Sequence, residues 1–139
     1  AIVELPWNNQ RETNRPLKIG YIAHTLREHS VGWLSRGLFQ HYDRQAFQTN
    51  LYLIYQNLED SQWFRERVDA VYDFGHDPNS IASKIKEDEI DILVDLDSLT
   101  LDATCQVMAL KPAPVQVTWL GWDASGIPAI DYYIADPYV

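Results

Sequence analysis

Three groups of residues in this chain carry side chains able to do chemistry at a site. The first is His29, which stands just before Ser30 and an apolar series at helical spacing. A histidine there feels the positive end of a helix dipole, which lowers the pKa of an imidazole. A neutral imidazole can take up a proton or bond a hydroxyl near neutral pH. The second group is the acidic series Asp91, Asp95 and Asp97, followed by Thr100. Carboxylates at the far end of a strand can bind Mg²⁺ or accept a phosphoryl group. Asp91, however, opens the segment, and only Asp95 and Asp97 share its far end. The third group is a glycine-bounded loop, Gly121-Trp-Asp-Ala-Ser-Gly126. Trp33, Trp63, Trp119 and Trp122 offer rings for stacking. Trp122 is the best placed, whereas Trp119 sits in an apolar run and reads as core. His24, His41 and His76 show no metal-ligand spacing and read as surface or capping residues. Cys105 has no paired histidine and reads as helix core.

The elements that must position these groups alternate along the chain. Residues 1–16 are polar, end at Pro16 and read as a linker or arm leading into the domain. Leu17 to Ala23 is a short buried strand. Ser30 is a candidate N-cap for a helix through Val31, Leu34, Leu38 and Tyr42. Phe47 to Tyr55 is a second strand, Asp60 can cap a short helix through Phe64 and Val68, and Ala70 to Phe74 is a third strand. Asn79 or Ser80 opens a helix through Ile81 and Ile85. Ile90 to Leu96 is the clearest strand, and Leu101 to Leu110 a helix with Leu101, Cys105 and Met108 on one face. Val115 to Leu120 and Asp131 to Ala135 complete the set, and their order in the sheet stays open. The alternation predicts an α/β fold, a Rossmann-like, mostly parallel sheet with helices on both faces over 17–139. In such sheets ligands bind outside the carboxyl ends of the strands, where the Gly121–Gly126 loop would lie. The turn after the first strand, His24 to His29, contains no glycine, so the dinucleotide fingerprint is absent, and so is a Walker-type phosphate loop.

Composition narrows the class. The chain has 139 residues, the size of one domain, and 46% of them are hydrophobic, enough for a sizeable core. A net charge of −9 argues against nonspecific binding to nucleic acid or to an anionic membrane surface. One cysteine allows no internal disulfide and suits a reducing compartment. No apolar run approaches the roughly 20 residues needed to span a bilayer. Beginning at Ala1 and ending at Val139 without a closing helix, the sequence is expected to be a piece of a longer protein.

Three blocks, in order, resemble the O-linked N-acetylglucosamine transferase family. They are Leu17-Lys-Ile-Gly-Tyr-Ile-Ala23 with the turn ending Glu28-His29-Ser30; Ile90-Asp-Ile-Leu-Val-Asp-Leu-Asp97 with Thr100; and Pro112-Ala-Pro-Val-Gln116, Trp119-Leu-Gly121 and Gly126-Ile-Pro-Ala-Ile-Asp-Tyr132. The resemblance implies the N-terminal lobe of a two-lobed, GT-B-like glycosyltransferase. Such enzymes move N-acetylglucosamine from UDP-N-acetylglucosamine to Ser or Thr hydroxyls with inversion, and need neither a metal nor a cofactor. By the same resemblance His29 is the catalytic histidine, and Gly121, Trp122, Asp123, Ser125 and Gly126 line the donor site. Asp97 and Thr100 fall on the acceptor side. The implied partners are a UDP-sugar, an acceptor protein or peptide, a C-terminal lobe that holds most of the UDP, and N-terminal tetratricopeptide repeats. The implied setting is cytoplasmic, and this lobe alone is expected to be inactive.

The sequence also departs from the family pattern. Trp33 replaces a second histidine, Lys86 another, and Asp97-Ser98-Leu99-Thr100 stands for Asn-Gly-Tyr-Thr. The glycine loop is one residue shorter, and Asp123 would place a negative charge near an anionic donor, at a cost of about 1 kcal/mol at close range. Another sugar, or a non-catalytic module that binds proteins within a repeat-containing scaffold, is the alternative these changes raise. A receiver-like Mg²⁺ domain built on Asp95 is a third reading.

Overall fold

The first strand, β1 (Leu17–Ala23), is apolar almost throughout because both faces of the sheet are covered. The structure is a computed structural model that describes residues 7, 9, 14–97, 100–120 and 126–135. After β1 come α1 (Ser30–His41), β2 (Phe47–Ile54), α2 (Leu58–Arg65), β3 (Ala70–Phe74), α3 (Pro78–Glu87), β4 (Ile92–Asp95), α4 (Asp102–Leu110), β5 (Val115–Trp119) and β6 (Tyr132–Ile134). The strands form one sheet in the order β3-β2-β1-β4-β5-β6. Every pairing is parallel, and β6 joins β5 with Val117 opposite Tyr132, which settles the order of the last two strands.

Alternation along each strand sends side chains to two separate cores. On one face Tyr21, Leu53, Val94 and Val117 pack with Phe39 of α1 and Phe64 of α2. The rings of Tyr21 and Phe39 meet edge to face at 5.0 Å, and those of Phe39 and Phe64 at 5.7 Å. On the other face Ile22, Tyr52 and Leu93 pack with Ile81 and Ile85 of α3 and with Val107 and Met108 of α4. Trp119 packs, half-buried, against the first core.

Three helix starts differ from the sequence expectation. His29, not Ser30, caps α1; Asn57, not Asp60, caps α2; Asp77, not Asn79 or Ser80, caps α3. In each case the capping residue has extended backbone and a side-chain acceptor within reach of the amide two or three residues on. The buried face of α4 is Ala103, Thr104, Val107 and Met108, so Cys105 lies half-exposed beside the core rather than in it.

The arm before β1 is tied to the amino edge of the sheet. Trp7 donates its indole N–H to the Lys111 carbonyl at 2.9 Å. Asn9 and Arg15 both bond the carboxylate of Asp91, with Arg15 reaching each oxygen, at 2.6 and 2.8 Å.

Candidate functional site at the strand switch point

The chain builds β1, β2 and β3 outward in one direction, then returns to place β4 on the other side of β1 and continues to β6. The reversal falls between β1 and β4, the place where ligands bind in sheets of this kind. His24 follows β1 directly, and Asp97 follows β4.

These two residues meet. His24 Nδ1 stands 2.8 Å from Asp97 Oδ1, and the His24 amide donates to the same oxygen at 3.1 Å. Thr104 of α4 donates its hydroxyl to the other oxygen, Oδ2, at 2.7 Å. Behind this pair Asp95 accepts from the Asp97 amide at 2.8 Å and from the Thr118 hydroxyl at 3.3 Å. Both carboxylates are buried. Buried charge persists only where donors surround it, and here hydroxyls and amides supply them, with the His24 ring at ion-pair distance. Both oxygens of Asp97 are thus engaged inside the protein.

The turn that carries His24 is held at both ends. Gln56, just past β2, accepts from the Leu26 amide at 3.2 Å and donates to the Leu26 carbonyl at 2.7 Å. A Cβ on Gly32 would lie 2.1 Å from the Arg27 carbonyl oxygen, so only glycine lets α1 start this close to the turn. His29 closes the turn: its Nδ1 accepts from the Val31 amide at 3.2 Å. An Nδ1 that accepts cannot carry the proton, so in neutral His29 the proton sits on Nε2. Neutral His29 thus presents an N–H at Nε2. Thr25, between them, is buried, and its Oγ1 has no partner among the described residues.

The other predicted site residues divide. Thr100 is exposed and bonds the Asp97 carbonyl through its hydroxyl at 2.5 Å, so it shapes the turn after β4. Gly126 has φ of 73°, a left-handed conformation that glycine adopts readily, and it borders an open cavity of about 250 Å³ with Thr118, Ile127, Tyr132 and Tyr133. Gly121, Trp122, Asp123 and Ser125 lie outside the described residues. Asp91 is at the opposite edge of the sheet from Asp95 and Asp97, so the acidic series does not converge. Among the described residues no group of three or more His, Cys, Asp and Glu is placed to hold a metal ion. Burial, together with Asp95, Asp102 and Asp97, pushes the Cys105 thiol up, which leaves it a poor nucleophile.

The sequence reading took His24 as a surface or capping residue, whereas it is half-buried beside Asp97. Its one signal was position: it is the first residue beyond the first strand of a doubly wound sheet, where ligands gather.

An all-parallel sheet in this order, with a histidine–carboxylate cluster and a helix N-terminus at its switch point, defines one ligand-binding lobe of a doubly wound α/β protein. Residues 4–139 match the family described as Glycosyl transferase family 41. The chain is 36% identical over 137 residues to a protein of Arabidopsis thaliana named probable UDP-N-acetylglucosamine–peptide N-acetylglucosaminyltransferase SPINDLY, covering 94% of this chain and 15% of that one. It is 30% identical over 132 residues to the UDP-N-acetylglucosamine–peptide N-acetylglucosaminyltransferase of Caenorhabditis elegans, covering 90% of this chain and 11% of that one. An O-GlcNAc transferase mutant from Thermobaculum terrenum superposes with a TM-score of 0.86 at 30% identity, covering 99% of this chain and 27% of that chain. The chain belongs to glycosyltransferase family 41, the O-GlcNAc transferase family, and has the fold of one of its GT-B-like lobes. It spans about 15% of the length of the first of these relatives.

Proposed function

We propose that this chain is the N-terminal lobe of a glycosyltransferase that moves N-acetylglucosamine, or another sugar, from a UDP-sugar to Ser or Thr hydroxyls of a protein or peptide. The observation that carries this reading is the pair of histidines at the switch point, one on a buried carboxylate and one at the N-terminus of α1. The sequence carries no Walker-type phosphate loop, and the Cys105 thiol is a poor nucleophile. Glycosyl transfer needs hydrogen bonds to sugar hydroxyls and a proton acceptor for the incoming hydroxyl. The activity named for the relatives points the same way.

In this reading His29 contacts substrate, its Nε2–H orienting the acceptor hydroxyl or a sugar oxygen. Asp97 and Thr100 shape the acceptor side, and the loop Gly121, Trp122, Asp123, Ser125 and Gly126 lines the donor side. No metal or resident cofactor takes part. The parent enzyme works in the cytoplasm, with a C-terminal lobe holding most of the UDP and with tetratricopeptide repeats before this lobe, so the lobe alone does not turn over. The exposed apolar side chains Trp33 and Leu34 in the first turns of α1, Tyr55 after β2 and Leu58 at the start of α2 all belong to the carboxyl edge. They suit a covering lobe, and they equally favour the second reading, a non-catalytic protein-binding module.

The test is donor hydrolysis and peptide transfer by the full-length parent with UDP-N-acetylglucosamine, beside His29→Ala. Turnover that falls by about 100-fold in the variant is expected. Unchanged turnover removes His29 from the site, and no turnover with any UDP-sugar moves the function to the binding module.

A further inference from the structure

We propose that His24, oriented by Asp97, is the residue that takes the proton from the acceptor hydroxyl, an inference that rests on the transferase reading above. The two imidazoles of the β1–α1 turn are set in opposite senses. His29 holds a backbone amide on Nδ1 and so exposes an N–H at Nε2. His24 has its buried Nδ1 2.8 Å from a carboxylate oxygen, at ion-pair distance but out of line for a hydrogen bond. Two lone pairs at that distance would repel, so Nδ1 carries the proton and Nε2 presents a lone pair. Among the described residues nothing occupies Nε2, and the side chain keeps 26% of its surface open while Asp97 keeps none. A carboxylate close to Nδ1, with Nε2 left unbonded, lets an imidazole act as a base and stabilises the imidazolium that forms, once a small ring rotation aligns the pair.

The step balances. As the acceptor oxygen bonds the anomeric carbon, its proton passes to His24 Nε2. The bond from that carbon to the diphosphate breaks, and UDP leaves with the electron pair. The proton then returns to water, restoring the neutral imidazole. Asp97 is a positioning residue, held by Thr104, and touches no substrate. The charged group facing His24 is Asp97, with Asp95 at the end of β4 bonded behind it; Asp102 and Cys105 of α4 lie near that carboxylate pair, and Arg27, Glu28 and His29 belong to the turn that carries His24. His29 gives one fewer path for the proton, because accepting it on Nδ1 would break the cap of α1.

The experiment measures kcat and KM against pH for the full-length parent with UDP-N-acetylglucosamine and an acceptor peptide. The variants are His24→Gln, His24→Ala, Asp97→Asn and His29→Ser. In the parent, kcat/KM falls on the acid side as the base gains a proton. His24→Gln is expected to lose about 100-fold or more in kcat, with KM little changed and the acid limb gone. Imidazole added to His24→Ala should restore part of the rate, which a merely structural role would not allow. Asp97→Asn should lower kcat, since the amide no longer fixes the tautomer, and His29→Ser should keep the acid limb. An active parent whose His24→Gln form stays within about 3-fold and keeps its acid limb overturns this inference alone. A parent inactive with every nucleotide sugar overturns the transferase reading and this inference with it. UDP binding by His24→Gln, followed by calorimetry, distinguishes a lost base from a lost fold.

Discussion

In the proposed reading His29 has two roles, because the ring whose Nδ1 caps α1 also carries the Nε2–H assigned to substrate. The two roles separate by substitution. His29→Ala removes the cap and is expected to destabilise the protein by about 1 kcal/mol in urea unfolding. His29→Ser replaces the ring by a good capping hydroxyl and should stay within about 0.5 kcal/mol of the parent, while losing the same transfer activity as His29→Ala. Equal stability losses in both would mean that the ring is held by packing and not by its bond to Val31. A second residue-scale prediction concerns Asp91. Burial opposes its ionisation, but bonds from Arg15, the Lys18 amide and Asn9 outweigh burial and hold its carboxyl below the usual carboxylate range. Its stabilising contribution is therefore present above the ordinary carboxylate pKa, about 4, and is lost as pH falls through the lower folded value. Asp91→Asn should cost about 2 kcal/mol at pH 7, and the gap to the parent should narrow as pH falls from about 4 through the lower folded value in acid-unfolding curves. A gap that stays constant as pH falls would assign the cost to packing. At this scale the sequence revealed chemistry only where neighbours in the chain are neighbours in space. His29 was legible beside Ser30. His24 was not, because 73 residues separate it from Asp97 and only the strand order brings them together.

At the scale of elements, α1 sets how close the site turn lies to the sheet, and its two glycines do different jobs. Gly32 faces backbone, and the Arg27 carbonyl oxygen would be 2.1 Å from an added Cβ. Gly37 faces open space, with nothing within 4 Å. Gly32→Ala should therefore destabilise by about 3 kcal/mol and reduce transfer, since the turn bearing His24 and His29 must shift. Gly37→Ala should stabilise by about 0.5–1 kcal/mol, the ordinary gain of alanine over glycine inside an exposed helix, with activity unchanged. Guanidinium unfolding of both variants checks the pair, and the same sign for both would mean that the crowding at Gly32 is relieved elsewhere. The ten elements were readable in order because apolar runs alternate with proline, asparagine and aspartate. The helix starts came out late by one to three residues. A cap is decided by extended backbone and side-chain reach, which polarity alone does not encode. The length of β6 shrank for a related reason: as the edge strand, exposed throughout, it pairs only where β5 offers partners, over Tyr132–Ile134.

For the whole molecule, the sheet is the shared wall of two cores, and each core contains a buried tyrosine from an inner strand. Tyr21 of β1 belongs to the layer under α1 and α2, and Tyr52 of β2 to the layer under α3 and α4. The parallel, two-sided architecture was legible from continuous apolar strands. The placement of the switch point between β1 and β4 was not, since strand order depends on which crossovers reverse and no local pattern records it. The same architecture governs alkaline behaviour. Burial, with Tyr42 nearby, pushes the Tyr21 hydroxyl up to about 12. Burial, reinforced by the bond to Asp88 at 2.6 Å, raises that of Tyr52 well above its ordinary value too. In the unfolded chain both phenols ionise near pH 10, whereas in the fold they keep their protons. Stability is thus full below about pH 10 and falls as pH rises from there, by about 1.4 kcal/mol per pH unit for each tyrosine. Tyr21→Phe should halve the decline between pH 10 and 12, and Tyr52→Phe should do the same from the opposite layer. Because Tyr21 and Ile22 are adjacent on β1 yet enter different cores, neither layer can open without breaking the strand they share. Tyrosinate absorbance and far-ultraviolet circular dichroism should therefore report one coincident transition. Two separated transitions, each abolished by one of the substitutions, would show instead that the layers unfold independently.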